Sequence, residues 1–293
     1  MPESDSSCLP GMVLSASQHV ATVDDVRQLA TDTWAVRLRQ PELARQITPG
    51  QFFMIRPAVG TDPLLGRPFA LYDIYCDDAG VPVGVDFGFV VVGKLTGLMS
   101  HWKPGDQVEI WGPLGNGFPL PTAKRLICVA GGIGQTPFLG VIREALGRQQ
   151  YGSPGRETAA RPEAVQLCYG VRSKDYLAGL SDFDIPELDL RIATDDGSAG
   201  HHGFVTELLQ QSLDQQTRDT QVYCCGPEPM MKAVAEICAA AGVPCWLSLE
   251  TPMACGFGAC FSCVTKVREP DGSWDYRRTC VEGPVFEADR LVL

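Results

Sequence analysis

The sequence has no run of about 18 apolar residues, so nothing in it reads as a membrane-spanning helix. Positive charge is scarce: 24 Lys and Arg stand against 35 Asp and Glu, a formal net charge of −11. Nucleic acids and anionic membrane surfaces both call for clustered cations, so neither is an expected partner. The start, MPESDSSCLPG, has neither a basic n-region nor an apolar h-region, and a soluble, cytoplasmic protein is expected. No internal repeat stands out. Cysteine is not lacking, but a chain of 293 residues is too long for a disulfide-stapled mini-domain, so its 12 cysteines are not read as a disulfide framework. Cys76, Cys128, Cys168 and Cys238 are scattered and read as small buried residues.

An apolar fraction of 45% at this length suits two domains and a small appendage. From about residue 18 to 112, short apolar or alternating runs are broken by Pro and Gly: WAVRLRQ, PGQFFMIRP, RPFALYDIY, VDFGFVVVG and DQVEIWGPLG. This texture predicts an antiparallel barrel or sandwich, with one short helix over Thr96 to Trp102. GNGFPLPTAKR suits a domain junction. Beyond it the rhythm becomes strand, loop, helix: LICVA, GGIGQTP, FLGVIREALGRQ, then VQLCYGV, LDLRIATDDG, VTELLQQSL, VYCCG and PMMKAVAEICAAAG. Alternation of this kind predicts a parallel sheet covered on both faces. YGSPGRETAARPE reads as a surface loop, and little in the last fifty residues looks helical.

The most specific signal is Cys255, Cys260, Cys263 and Cys280, a C-x4-C-x2-C-x16-C run. This is the plant-type spacing of a [2Fe-2S] site, in which one loop wraps an inorganic core with three thiolates and a fourth arrives from farther on. Gly256 and Gly258 give the loop backbone freedom to close and to aim N–H groups at sulfur, while Ala259 and Ser262 leave room. A four-cysteine structural zinc site is the rival, although zinc ribbons pair two Cys-x2-Cys hairpins and the second half here has one cysteine.

Three signals point to nucleotide and flavin. Gly131, Gly132, Gly134, Thr136 and Pro137 lie in a loop joining an apolar strand to a helix, where glycines admit a pyrophosphate and the helix start offers free N–H groups. The loop is not the standard G-x-G-x-x-G, and a tight strand-to-helix turn explains the glycines as well. Asp195 ends a strand two further on, where a carboxylate can accept from ribose hydroxyls and repel the extra phosphate of NADP; capping of a turn is the alternative. Cys225, Gly226 and Pro227 end the strand VYCCG at the edge where open α/β sheets bind ligands, and small residues there would admit a nicotinamide ring. In the barrel half, Arg67, Pro68, Phe69 and Ala70 set a permanently charged, planar guanidinium beside a rigid proline, which suits a diphosphate. Tyr72, farther along, is either a flavin-packing ring or core.

The order of these motifs resembles the ferredoxin-NADP reductase superfamily, over essentially the whole chain. Within it, Cys255-Gly256-Phe257-Gly258-Ala259-Cys260-Phe261-Ser262-Cys263, then Cys280 before Gly283-Pro284-Val285-Phe286, is similar to the electron-transfer subunits of class 1B dihydroorotate dehydrogenases. Val91–Lys94, Leu98–Ser100 and Gly112–Phe118 match the same pattern. The resemblance implies an N-terminal antiparallel flavin-binding β-barrel (12–120), a Rossmann-like parallel-sheet NAD-binding domain (121–244) and a small C-terminal [2Fe-2S] segment (245–293). It implies FAD held by the Arg67 strand with Gly88, Phe89, Val90, Leu95 and Thr96, and NAD as a diffusible co-substrate. It further implies an FMN-containing dihydroorotate dehydrogenase catalytic subunit as partner, in a heterotetramer of two of each. Ala70 stands where the family usually has Ser or Thr, and Leu95-Thr96 where it has Gly-Thr, which costs a flavin contact on the order of 1 kcal/mol each. Related NAD(P)H-linked flavin and iron–sulfur subunits of ferredoxin oxidoreductases or hydrogenases share most of these motifs. NADH-dependent reductases that feed oxygenases and a cofactor-free scaffold are further alternatives.

Overall fold

The computed structural model describes residues 12–13, 16–156 and 161–293. Its first half is a seven-stranded antiparallel sheet built from β1 (Ser17–Ala30), β2 (Thr33–Arg39), β3 (Phe52–Pro57), β4 (Arg67–Ala70), β5 (Asp73–Cys76), β6 (Pro82–Val90) and β7 (Gln107–Leu114). The strand order is β4-β3-β7-β1-β2-β6-β5, with α1 (Pro41–Gln46) and α2 (Lys94–Met99) in the connections. Inward alternation supplies the core: Val36, Leu38, Phe53, Ile55, Phe87 and Ile110 are fully or almost fully buried. Across β2 and β6, Arg37 opposes Asp86 in register and grips it with two hydrogen bonds of 2.8 and 2.7 Å.

RPFALYDIY, expected as one strand, is two strands on opposite edges of the sheet. Leu71 N–H bonds to Gln51 O on the β3 side and Tyr72 N–H to Asp86 O on the β6 side, so two residues carry the chain across the barrel. The helix expected over Thr96 to Trp102 starts earlier, at Lys94. The Thr96 hydroxyl accepts from the N–H groups of Val92 and Gly93 (3.0 Å each) and fixes the start.

The second half is a sheet of order β11-β10-β9-β8-β12-β13-β16. Its strands are β8 (Arg125–Gly131), β9 (Ala164–Val171), β10 (Leu188–Thr194), β11 (His201–His202), β12 (Thr220–Cys225) and β13 (Cys245–Ser248), all parallel, with β16 (Val285–Glu287) antiparallel at the edge. The helices α3 (Thr136–Ala145), α4 (Val205–Gln215) and α5 (Glu228–Ala241) connect them, and β14 (Val264–Arg268) pairs with β15 (Trp274–Arg278) in a hairpin. Residues 245–248, which the sequence grouped with the cluster segment, thus form a strand of the parallel sheet. Strand order reverses between β8 and β12, the crevice where such sheets bind ligands. Cys128, Cys168 and Cys238 are buried as expected, whereas Cys76 is half-buried.

The polar stretch from Tyr151 is more than a surface loop, although residues 157–160 lie outside the described residues. Tyr151 is buried and its hydroxyl donates to Asp73 Oδ1 at 2.6 Å, and Arg156 donates to Phe118 O at 2.7 Å while pairing with Glu144. Arg143 of α3 also pairs with Asp73, so one barrel carboxylate ties the two sheets together. Among the described residues, no helix is long and apolar enough to cross a membrane.

Candidate functional site

A cavity of about 760 Å³ opens between the barrel, the β8–β12 edge and the segment 248–253. That volume falls within the roughly 300–1,000 Å³ of cofactor and ligand clefts. All nine barrel residues singled out from the sequence line it, together with Thr136 and Cys225. Strand β4 brings Arg67 to the rim, where its Nη1 donates to the carbonyls of Leu65 and Gly66 (3.0 Å each). Phe69 and Phe89 are buried with ring centroids 6.3 Å apart and planes inclined at 68°, and together they give the cavity an apolar wall. Strand β6 contributes Gly88, where an added Cβ would come within 2.8 Å of Thr136 Cγ2.

Three residues behave differently from the simplest expectation. The Thr96 hydroxyl is spent on capping α2, and the buried Leu95 packs into the barrel core. Tyr72 is fully buried between the sheets, with its hydroxyl donating to Asp182 Oδ2 at 2.7 Å, and it does not line the cavity.

At the sheet edge, glycine is required for packing. A Cβ on Gly131 would meet Met230 Sδ at 2.6 Å, one on Gly134 would meet Cys225 O at 2.4 Å, and one on Gly226, whose φ is +156°, would meet Met230 Cε at 2.6 Å. Strands β8 and β12 therefore end in mutual contact, with Pro227 opening α5 and the buried Pro137 opening α3. Gly132, at φ +57°, has nothing within 4 Å of an added Cβ and leaves open backbone in the turn before α3. Burial, reinforced by Glu250 and opposed by Ser248, pushes the Cys225 thiol up to about 12. Asp195 is exposed at the end of β10, while its neighbour Asp196 takes the turn-capping role, accepting from Ser198 N–H (2.9 Å) and Oγ (2.6 Å).

The far wall of the cavity was not read from the sequence. Glu250, Thr251, Pro252 and Met253 line it. Glu250 is exposed at the cavity mouth, and the protein crowded around it displaces enough water to raise its carboxyl above the usual range. Its signal was positional: it lies between the end of a parallel strand and the first cysteine of the run.

The four cysteines stand in two pairs. Cys263 and Cys280 are buried with sulfurs 3.2 Å apart, and Cys255 hydrogen-bonds Cys260 at the exposed end. Backbone N–H groups of Ser262 and Gly258 point at the sulfurs of Cys260 and Cys280. Burial raises the Cys260 thiol, but hydrogen bonds from Ser262 and Cys255 together outweigh it and hold the thiol at about 6; burial, then Cys263, push Cys280 up. Gly256 (φ +81°) could not carry a side chain, because its Cβ would meet Met54 Cγ at 2.6 Å. Phe52, Met54 and Leu114 of the barrel form the apolar seat, and Trp111 Nε1 donates to Cys255 O at 2.8 Å. Among the described residues, no three His, Cys, Asp or Glu side chains gather as a single ion would need. Two thiol pairs with N–H groups aimed at sulfur fit a two-iron core better than one tetrahedral zinc.

A family model described as the iron–sulfur cluster binding domain of dihydroorotate dehydrogenase B matches residues 250–292, and the oxidoreductase NAD-binding domain matches residues 128–236. The electron transfer subunit of dihydroorotate dehydrogenase B (NAD(+)) from Desulforamulus reducens is 37% identical over 274 residues, covering 93% of this chain and 97% of the relative. The chain belongs to that family. A homologue of the same subunit from Aquifex aeolicus is 34% identical over 90% of this chain and 94% of its own length. A solved structure of an NADH-dependent reduced ferredoxin-NADP oxidoreductase superimposes with a TM-score of 0.76 at 27% identity, covering 93% of this chain and 90% of that one. A ferredoxin NADP+ reductase from Neisseria gonorrhoeae, at 18% identity and TM-score 0.61 over 77% of this chain and 92% of its own, shares the fold. In this family of dihydroorotate dehydrogenase B electron-transfer subunits, the expected barrel, parallel sheet and C-terminal iron–sulfur domain are all present.

Proposed function

We propose that this chain is the electron-transfer subunit of a dihydroorotate dehydrogenase B, passing electrons from an FMN-containing catalytic subunit through [2Fe-2S] and FAD to NAD+ in pyrimidine biosynthesis. The observation that carries the reading is the shared cavity wall: the segment 248–253 faces the flavin-type cavity and leads within two residues to Cys255. Flavin exchanges hydride with nicotinamide and single electrons with a cluster, which is the chemistry such an arrangement needs.

The division of labour among residues follows. Arg67, Pro68, Phe69 and Ala70, with Gly88, Phe89, Val90, Leu95 and Thr96, hold FAD. The Gly131–Pro137 turn and the Cys225–Pro227 edge receive NAD(H), with Asp195 at the adenosine ribose. Cys255, Cys260, Cys263 and Cys280 ligate the cluster, the exposed Cys260 on the partner's side. The units are 12–120, 121–244 and 245–293, the last lending β13 and β16 to the parallel sheet. The partner is bound as a heterotetramer of two of each chain, in the cytoplasm, a reducing compartment suited to cysteines that are all free thiols among those described.

Dihydroorotate itself is not bound here. Pull-down from the native host followed by assay of dihydroorotate-dependent NAD+ reduction tests this: the complex should be active and the chain alone inactive, and turnover by the chain alone would refute it. The likeness to the ferredoxin-NADP oxidoreductase structure favours one second reading, a ferredoxin oxidoreductase subunit. Capture of a large multi-cluster subunit in the same experiment would select it.

A further inference from the structure

The cavity wall and the cluster seat are joined by two hydroxyls. Thr251 lines the cavity, and its Oγ1 is hydrogen-bonded to Oγ1 of Thr279. Thr279 is fully buried and immediately precedes Cys280. Its N–H donates to the Cys263 carbonyl at 2.8 Å, and its hydroxyl donates to the same oxygen at 3.1 Å. One threonine thus clamps the two buried cysteines whose sulfurs stand 3.2 Å apart.

The direction of this chain is fixed at one end. A carbonyl can only accept, so the Thr279 proton goes to Cys263 O, and the proton shared by the two hydroxyls comes from Thr251. Thr251 therefore has no proton left for the cavity, and its oxygen can act there only as an acceptor. Aligned hydroxyls of this kind polarise one another in a dry setting.

We propose that Thr251 and Thr279 form a positioning pair that couples the flavin cavity to the cluster seat. Thr279 sets the spacing of Cys263 and Cys280, and Thr251 holds that clamp against the cavity wall while offering an acceptor to an N–H of the isoalloxazine. This rests on the flavin and cluster reading given above, and it names residues that reading does not use.

The test compares Thr251→Val, Thr279→Val and Thr279→Ser in the anaerobically prepared complex, by flavin, iron and sulfide content, the electron paramagnetic resonance spectrum of the reduced cluster, and the stopped-flow rate of cluster reduction by NADH. With cofactor content unchanged, Thr251→Val should slow that rate by about fivefold, the scale of one neutral hydrogen bond. Thr279→Val should do the same and also shift the cluster spectrum, and Thr279→Ser, which keeps the hydroxyl, should restore both. If Thr279→Val loses its cluster, the rate of Thr251→Val decides. Wild-type rates in Thr251→Val, or a serine variant as impaired as the valine one, would overturn the proposal and leave the functional reading standing. A wild-type chain without flavin or without cluster would overturn both.

Discussion

Gly88 of β6 lies so close to Thr136 at the start of α3 that a single added carbon would stand 2.8 Å from the threonine methyl. The bare barrel backbone meets the Thr136 side chain there, at the edge of the cavity that both residues line. Gly88→Ala should therefore force the sheets apart at a cost of about 1–3 kcal/mol, as overpacking does, and reduce FAD retention. Thr136→Ser removes the clashing methyl, so the double variant should recover most of the loss in urea unfolding and in flavin content. Equal stability of Gly88→Ala and wild type would contradict this contact.

The cysteine pairs make unequal predictions. Cys263→Ser or Cys280→Ser removes a buried thiolate from the closed pair, and iron and acid-labile sulfide should both fall to near zero. Cys260→Ser alters the exposed pair, where an oxygen ligand can be hydrated, and should leave some labile cluster. Metal analysis and the visible spectrum of anaerobic samples check both. Zinc without sulfide in any of these proteins would point to a structural zinc site instead.

Asp73 joins the two sheets through Arg143 and Tyr151, and burial, opposed by Arg143, raises its pKa above the ordinary 3.8. A carboxyl with a raised folded pKa contributes stability that is complete below its unfolded value and declines as pH rises through the folded one. The stability of wild type relative to Asp73→Asn should accordingly fall as pH is raised from about 4 toward neutrality. Urea midpoints at a series of pH values test this, and a difference that grows with pH would be contrary to it.

Asp195 is exposed at the end of β10, and the proposed role at the adenosine ribose would set its carboxylate against the extra phosphate of NADP. Asp195→Ser should narrow the preference for NADH over NADPH, about tenfold if one charge contact worth ~1.4 kcal/mol is lost. Ratios of kcat/KM for the two nucleotides give the answer, and an unchanged ratio would assign Asp195 to the turn with Asp196.

Much of this architecture could be read from the sequence because its signals are local. Alternation in β2, the buried runs of β8 and β12, and the cysteine spacing each depend on residues close in the chain. What escaped depends on contacts made at a distance. Leu71 and Tyr72 look like the middle of one strand, and only the hydrogen bonds to Gln51 and Asp86 split it. The glycines at 131 and 134 read as room for a pyrophosphate and Gly226 as room for a nicotinamide ring, and the packing of these strand ends against Met230 and Cys225 is a second demand for glycine that no local pattern displays. Glu250, Thr251 and Thr279 belong to no motif: the first two meet at a cavity wall, and Thr279 reaches it only through a hydroxyl contact with Thr251, 28 residues away.

A nicotinamide site and a [2Fe-2S] cluster should communicate within this one chain. Anaerobic addition of NADH to protein with a full complement of FAD, iron and sulfide, followed by electron paramagnetic resonance at low temperature, tests it most directly. The signal of a reduced [2Fe-2S] cluster is expected, and a loaded protein that stays silent after NADH but gives the signal with a chemical reductant would contradict that communication.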